Sequence, residues 1–483
     1  MDISWEPCNP SAVLLPLTER GCRIGKRSCR ACMRRPQTGL ILIVHACHIR
    51  YIAKVSRLRS RVQTGSKVSN WLKIYGNRRV LCLLGLSFSS GLPLALTAST
   101  LQAWLVTEKV DLSIVGVFSL VGLPYALKVF WAPLMDRFSP PWLGRRRGWI
   151  VSIQLLLAVS ILLLGCCSPA SFPALVGFAA LVTAFLSASQ DIAIDAYRAD
   201  VLREKELGPG GATVVVGYRS ALLISGSLAL ILSDHVSWRT VYALMAAVMI
   251  VNTLFTLVAP EPENRVVSPK SLKEAVWGPL TGYFKRSGAV EMLLFIMVYK
   301  LGNVIAGAMT TPFLLDIGFS RSDVGMVNKA FGLISTILGA LVGGGIVSKI
   351  GINRSLWVFG FLQAFSNLAF TALALIGKSY PAMIAAIGIE NMCAGMGDSA
   401  FIAFMMSLCD KRFTATQYAL LTSFMAIGRV VAGVPTGAAA QALGWPIYFS
   451  MSVLGAIPGI VLLARFAPWN GGGRAAMADA ERI

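Results

Sequence analysis

The sequence predicts an all-α membrane protein of twelve spanning helices in two six-helix halves, and three observations carry that prediction. The first is composition. Of 483 residues, 55% are apolar and only 14% charged, with a mean hydropathy of +0.66, whereas a soluble protein carries about 25% charged residues. The second is run length. The apolar residues fall into twelve blocks, 80–105, 113–134, 148–167, 172–199, 211–233, 238–258, 289–313, 321–348, 355–377, 380–408, 416–440 and 445–467. Each is close to the roughly 20 residues that cross a bilayer as a helix. Continuous runs of this length exclude a barrel, whose strands alternate over about ten residues. The third is duplication. Gln190-Asp191 is matched by Gly397-Asp398, Gly217-Tyr218-Arg219 by Ile427-Gly428-Arg429, Trp238 to Tyr242 by Trp445 to Tyr448, and Ala259-Pro260 by Ala467-Pro468. One match means little, but several in register at about 210 residues mean a repeat.

Taken in order, residues 1–79 form a basic extension. They hold sixteen of the forty-four Lys and Arg residues, three acids (Asp2, Glu6, Glu19) and five of the ten cysteines. Cys29, Cys32, His45 and His48 approach a zinc-finger spacing, but the last interval is one residue short, so no metal site is expected. The order of a cleaved signal peptide is absent. The extension reads as a mis-called start or a disordered arm. A chain begun at Val68 is expected to insert and function unchanged. Residues 80–258 make the first six-helix half and 289–468 the second. The linker 259–288 has a short helix expected at Ser271 to Arg286, lying at the membrane interface, and 469–483 is a tail.

Orientation follows from Lys and Arg placement. One set of short loops carries Arg137, Arg145, Arg146, Arg147, Arg203, Lys205, Lys349, Arg354, Lys411 and Arg412, and the other only Lys109, Arg239, Arg321 and Lys378. The basic side is expected to be cytoplasmic, with both termini there. The net charge of +21 is thus partly topology. It implies no nucleic-acid partner, and no base-reading module is present.

The segment SASQDIAIDAYRAD, Ser187 to Asp200, is the most informative stretch. Asp191 and Asp195 stand four apart and share a helix face. A charge in lipid costs a few kcal/mol, so such residues face a bundle interior or an aqueous path. Two carboxylates that close do not both ionise readily, which is what a proton-carrying site requires. Asp398 joins them as the repeat partner of Asp191. Substitution of Asp191 or Asp195 by Asn is expected to abolish proton-coupled accumulation. The other intramembrane charges are Lys128, Arg219, Lys300, Lys329, Glu390 and Arg429. The excess of cations suits an anionic solute, and Arg clamps a carboxylate with two parallel hydrogen bonds. Arg219, Lys300, Lys329, Arg429 and Glu390 are therefore candidate substrate residues, with Gln102, Asn303, Asn328, Asn391 and Tyr125 as amide and hydroxyl partners. The competing reading is internal ion pairing, such as Asp191 with Arg219. Lys128 is set aside as a side chain that snorkels to the inner surface. Gly339 with Gly343, and Gly433 with Gly437, are expected to permit close helix packing. No nucleotide-binding glycine loop is present. The histidines are His45, His48 and His235, none in a catalytic setting, so an enzyme is not expected.

Two six-helix halves related by a pseudo-twofold axis, with the site between them, describe the major facilitator architecture. The loop after the second span, with Asp136 and Arg137 followed by Arg145 to Arg147, resembles that superfamily's signature. Asp136, Arg137 and Arg145 are candidate gating residues. From Leu81 to Pro468 the chain resembles the AmpG muropeptide permease family. The matching segments are SSGLPLALTASTLQAWL (Ser89–Leu105), FSLVGLPYALKVFWAPLMDR (Phe118–Arg137), LGRRRGW (Leu143–Trp149) and SASQDIAIDA (Ser187–Ala196). The second half adds YKLGN (Tyr299–Asn303), GMVNKAFGL (Gly325–Leu333), ENMCAGMGDSAFIAFMMSLC (Glu390–Cys409) and ATQYALL (Ala415–Leu421). Asp398 departs from the family pattern, which is uncharged there. The resemblance implies a proton-driven, cofactor-free importer of N-acetylglucosaminyl-anhydro-N-acetylmuramyl peptides in the bacterial inner membrane. Their import would support peptidoglycan recycling and, in some bacteria, beta-lactamase induction; oligomeric state is not legible in the sequence, and a monomer is the default expectation. The nearest alternative is a carrier of another anionic solute such as acetyl-coenzyme A.

Overall fold

The computed structural model describes residues 75–469 except 112, 113, 115, 116, 263–268, 270, 286 and 287. The expectations for residues 1–74, including the Cys29–His48 spacing, and for most of the C-terminal tail lie outside the described residues. Within lipid a chain must satisfy its own backbone, so an apolar run becomes a helix. The spans are α1 (Arg78–Thr107), α2 (118–137), α3 (Arg147–Cys166), α4 (Pro173–Val201), α5 (Glu204–Ser233), α6 (Trp238–Val258), α7 (Ala289–Asp316), α8 (Val324–Ile350), α9 (Ile352–Ile376), α10 (Tyr380–Leu408), α11 (Thr414–Leu443) and α12 (Trp445–Phe466). Ten of these are long and apolar enough to cross a membrane. The tenth span is a continuous helix of 29 residues whose apolar run Glu390, Asn391 and Asp398 dilute.

The second span departs from a single helix. It runs as a 3₁₀ stretch at Phe118–Gly122, a short α-helix at Leu123–Leu127, a second 3₁₀ turn at Lys128–Phe130 and a final helix at Ala132–Arg137. Pro124 and Pro133 each open one of the α-helical pieces, because a residue without an N–H is tolerated only there. Irregular turns recur elsewhere. α5 widens to a π-helix at Leu223–Leu228 and α8 at Val324–Phe331. α11 breaks between Gly433 and Thr436.

The repeat seen in the sequence is a repeat of contacts. In the first half Arg147 donates to the carbonyls of Thr256 and Leu257 at 3.2 and 2.7 Å, tying the start of α3 to the end of α6. In the second half Asn353 donates to Pro468 O at 3.2 Å and Trp357 to Ala467 O at 2.8 Å, tying α9 to α12 in the same way. The α8–α9 corner turns at Gly351, whose φ of 84° suits a residue without a Cβ. The linker helix forms at Leu272–Phe284, capped by Ser271 Oγ, which accepts from Glu274 N at 3.1 Å. It packs Gly278 beneath Phe413, at the foot of α11.

The halves meet at the end of the bundle that carries the arginine-rich loops. α5 lies on α8 and α10 there. A Cβ on Gly208 would strike Gly344 O and Val347, and one on Gly211 would strike Ser399 O and the Ala403 backbone. Gly339 and Gly343 press on the α10 backbone at Met392 and Met396, as expected. Gly433 and Gly437 do not serve packing, since nothing lies within 4 Å of a Cβ at either. They flank the break in α11.

Candidate functional site

In α4 the face expected from the sequence forms. Ser187, Gln190 and Asp195 are buried along it, and Asp191 accepts a hydrogen bond from Ser90 of α1. Asp195 is held by two cations, Lys128 at 3.6 Å and Arg198 at 2.7 Å. This corrects the reading of Lys128. It does not snorkel but sits 6% exposed in the 3₁₀ turn of α2, because the break there aims it at α4. The alternative pairing of Asp191 with Arg219 is not found among the described residues. Arg198, on the same face of α4 one turn below Asp195, is a ligand of Asp195 to which the sequence reading assigns no role. It reaches further, donating to Tyr418 Oη of α11 at 2.7 Å and lying 4.9 Å from that ring's centre. The buried Tyr125 and Ser187 hydroxyls lie beside Asp191 and within reach of one another.

The same geometry recurs in the second half with different chemistry. Lys300 of α7, about 210 residues after Ser90, forms an ion pair with Asp398 of α10. The first half thus offers its aspartate a hydroxyl, and the second offers a cation. Glu390 lies about two turns before Asp398 on α10, within electrostatic reach of Arg219 and Lys300. Lys300 in turn faces Arg219 and Arg429. Arg219 and Arg429, repeat partners on α5 and α11, are both exposed and both lie within electrostatic reach of Lys300. Three cations and two acids therefore converge. Asn303 is within hydrogen-bonding reach of Glu390.

Other expected residues fall elsewhere. Asn391 is consumed by packing, accepting from Thr336 Oγ1 at 3.0 Å and donating to Ile387 O at 3.0 Å. Asn328 donates to Thr311 Oγ1 at 3.2 Å. Lys329 and Gln102 are exposed on the far halves of α8 and α1, without polar partners among the described residues.

At the arginine-rich end a buried network joins the halves. Asp136, fully buried, receives Arg146 at 2.9 Å and Arg145 at 3.2 Å. Arg146 also bonds Asp200 at 2.8 Å. Across the interface Asp136 accepts from Thr416 N at 2.8 Å and Thr416 Oγ1 at 2.7 Å, capping the start of α11. Asp200 accepts from Thr414 Oγ1 at 2.6 Å, Arg145 donates to Arg412 O at 2.8 Å and Lys411 to Ala199 O. Burial, then the neighbouring Arg146, pull the Arg145 guanidinium below its ordinary pKa, while Asp136 and Asp200 oppose this. Of the expected gating residues, Asp136 and Arg145 are in the network. Arg137 instead lies 5.4 Å from the centre of the Phe138 ring, and its place is taken by Arg146, which the sequence reading passed over.

Residues 83–433 match the Major Facilitator Superfamily profile. The anhydromuropeptide permease of Escherichia coli K12 is 47% identical over 397 residues, covering 82% of this chain and 81% of that protein. The chain belongs to the AmpG family of the major facilitator superfamily. A putative transporter, AmpG 4, of Rickettsia conorii is 32% identical over 81% of this chain and 97% of its own length. Among solved structures, the proton:xylose symporter XylE aligns with a TM-score of 0.60 at 10% identity over 82% of this chain and 96% of its own. The transporter FucP, in an outward conformation, aligns at 0.59 and 14% over 80% and 98%. At those identities the likeness concerns the fold. This AmpG-family chain is therefore a multi-pass membrane transporter and not an enzyme.

Proposed function

We propose that the protein imports N-acetylglucosaminyl-anhydro-N-acetylmuramyl peptides across the bacterial inner membrane, driven by the proton gradient without a cofactor, for peptidoglycan recycling and, in some bacteria, beta-lactamase induction. The observation that carries the reading is the cluster of Arg219, Lys300 and Arg429 with Glu390 and Asp398 between the halves. Its cations outnumber its acids, and the stem peptide of a muropeptide brings several carboxylates. The 47% identity to an anhydromuropeptide permease favours this solute over acetyl-coenzyme A. The positive-inside rule places the arginine-rich end in the cytoplasm. The network there then closes the inner mouth, and the site faces the periplasm.

Geometry divides the work among the three aspartates. Asp195 is committed to Lys128 and Arg198, and Asp398 to Lys300. Asp191 receives a hydroxyl and is the carboxylate free to take up and release a proton. Arg198 carries that change onward, since it touches both Asp195 and Tyr418 of α11. The test is uptake of labelled muropeptide into proteoliposomes under an imposed pH gradient. Asp191→Asn is expected to lose accumulation while keeping membrane abundance and gradient-free exchange. Asp195→Asn, which leaves two buried cations short of a partner, is expected to lower abundance as well. Normal accumulation by Asp191→Asn would sink the assignment.

A further inference from the structure

Away from the central site, α1, α5 and α6 enclose a cavity of about 340 Å³. That is more than twice the ~150 Å³ that holds a benzene ring. Gly217 sets the α5 backbone directly against Leu84 O, so no side chain of α5 fills the wedge between α1 and α6. The walls are apolar apart from Ser220 and Asn252, and Asn252 spends its Nδ2 on Val248 O at 3.1 Å. The cavity opens sideways. Leu84 and Phe255 on its rim are 38% and 45% exposed on the outer surface of the bundle, where a bilayer is the surrounding medium.

A charge stands over this opening. Gly85 follows Arg78 by seven residues, two turns along one face of α1 and about 10 Å at 1.5 Å per residue. The Arg78 guanidinium is exposed and bridges to the end of α6, its Nε and Nη2 donating to Val258 O at 3.1 and 2.7 Å. A guanidinium has five N–H donors, and the others have no partner among the described residues. Half of a ~30 Å hydrocarbon core is about 15 Å, so Arg78 sits at headgroup level and the cavity within the same leaflet.

We infer that this is a binding site for one anionic phospholipid, its phosphate on Arg78 and one acyl chain in the α1–α5–α6 cavity. The assignment is independent of the transported solute. It is tested by native mass spectrometry of the full chain, released from micelles holding equal phosphatidylglycerol and phosphatidylcholine. One phosphatidylglycerol is expected to be retained over phosphatidylcholine by about fivefold, the preference one arginine supplies at a membrane surface. Arg78→Gln should remove the preference while lipid is still retained. Ser220→Phe and, separately, Val248→Phe should fill the cavity and reduce retention of either lipid, with thermal unfolding confirming that each variant is folded. Equal retention of the two lipids by the unaltered chain, or an unchanged adduct pattern in folded cavity-filled variants, would overturn the site.

Discussion

Where α11 meets α2 and α4, the halves are joined by charge. Where α5 meets α8 and α10, they are joined by bare backbone. The two seams are repeat partners, since α11 corresponds to α5, α2 to α8 and α4 to α10. Yet Asp136 anchors the first, and the run Gly343-Gly344-Gly345, about 208 residues on, lines the second. Duplication preserved the meeting of helices and let the chemistry diverge. A charged seam holds firmly but comes apart completely once one member is lost. A glycine seam has no single bond to lose and is defeated only by added volume. The contrast repeats deeper in the bundle, where Ser90 faces Asp191 and Lys300 faces Asp398.

The comparison can be broken most forcefully at Asp136. Asp136→Ala leaves Asp200 as the acid paired with Arg146 and uncaps α11, and losing one partner of a buried pair costs about 3–5 kcal/mol. Labelling of Cys409, at the foot of α10, by an impermeant maleimide in inside-out vesicles should rise at least about tenfold. Unchanged labelling would mean that the network does not hold the halves together. Gly211→Val attacks the other seam, forcing a side chain onto Ser399 O and the Ala403 backbone. Overpacking of this kind costs about 1–3 kcal/mol, so the same assay should show a smaller rise. The two seams share no partner, so the double variant should show nearly the sum of the two free-energy changes. A clear departure from additivity would show that the seams yield together. The smallest effect belongs to Arg412→Gln. Its side chain pairs with Asp410 at 2.9 Å but is 65% exposed, and exposed pairs contribute about 0–1 kcal/mol. Its contact with Arg145 uses the backbone carbonyl and survives the change, so labelling should stay within about fivefold.

What the sequence disclosed followed the range of each signal. The shared face of Asp191 and Asp195 needed only the 3.6-residue period. The duplication needed only matched offsets, and read further those offsets also pair Ser90 with Lys300. Lys128 was misread because a straight helix would have carried it toward the surface, and the turn that redirects it follows from Pro124 and Pro133, which were in view. Arg146 was passed over in favour of Arg137 because a loop decides which guanidinium points inward. That loop turns at Gly144, with φ of 83°, and no periodicity reports it. Asn391 looked like a substrate amide until Thr336, on another helix, was seen to occupy it.

The irregular turns have a mechanical consequence. α2 starts with the 3₁₀ stretch Phe118–Gly122, and α8, about 207 residues on, starts with the π stretch Val324–Phe331. α5 carries its π turn at Leu223–Leu228, and α11, about 210 residues on, is interrupted after Gly433. α5, α8 and α11 are therefore softened toward the end away from the arginine-rich loops, and α2 is irregular along its length, because misfitted turns are where helices bend. The bundle behaves as a beam of uneven stiffness. Its arginine-rich mouth is stiff, because Asp136 and Asp200 are bonded across the halves there. The opposite mouth carries the irregular turns and, among the described residues, no buried carboxylate bonded from one half to the other. The energetic threshold in a cycle between the two then falls at the stiff mouth, and a bound solute has most to change there.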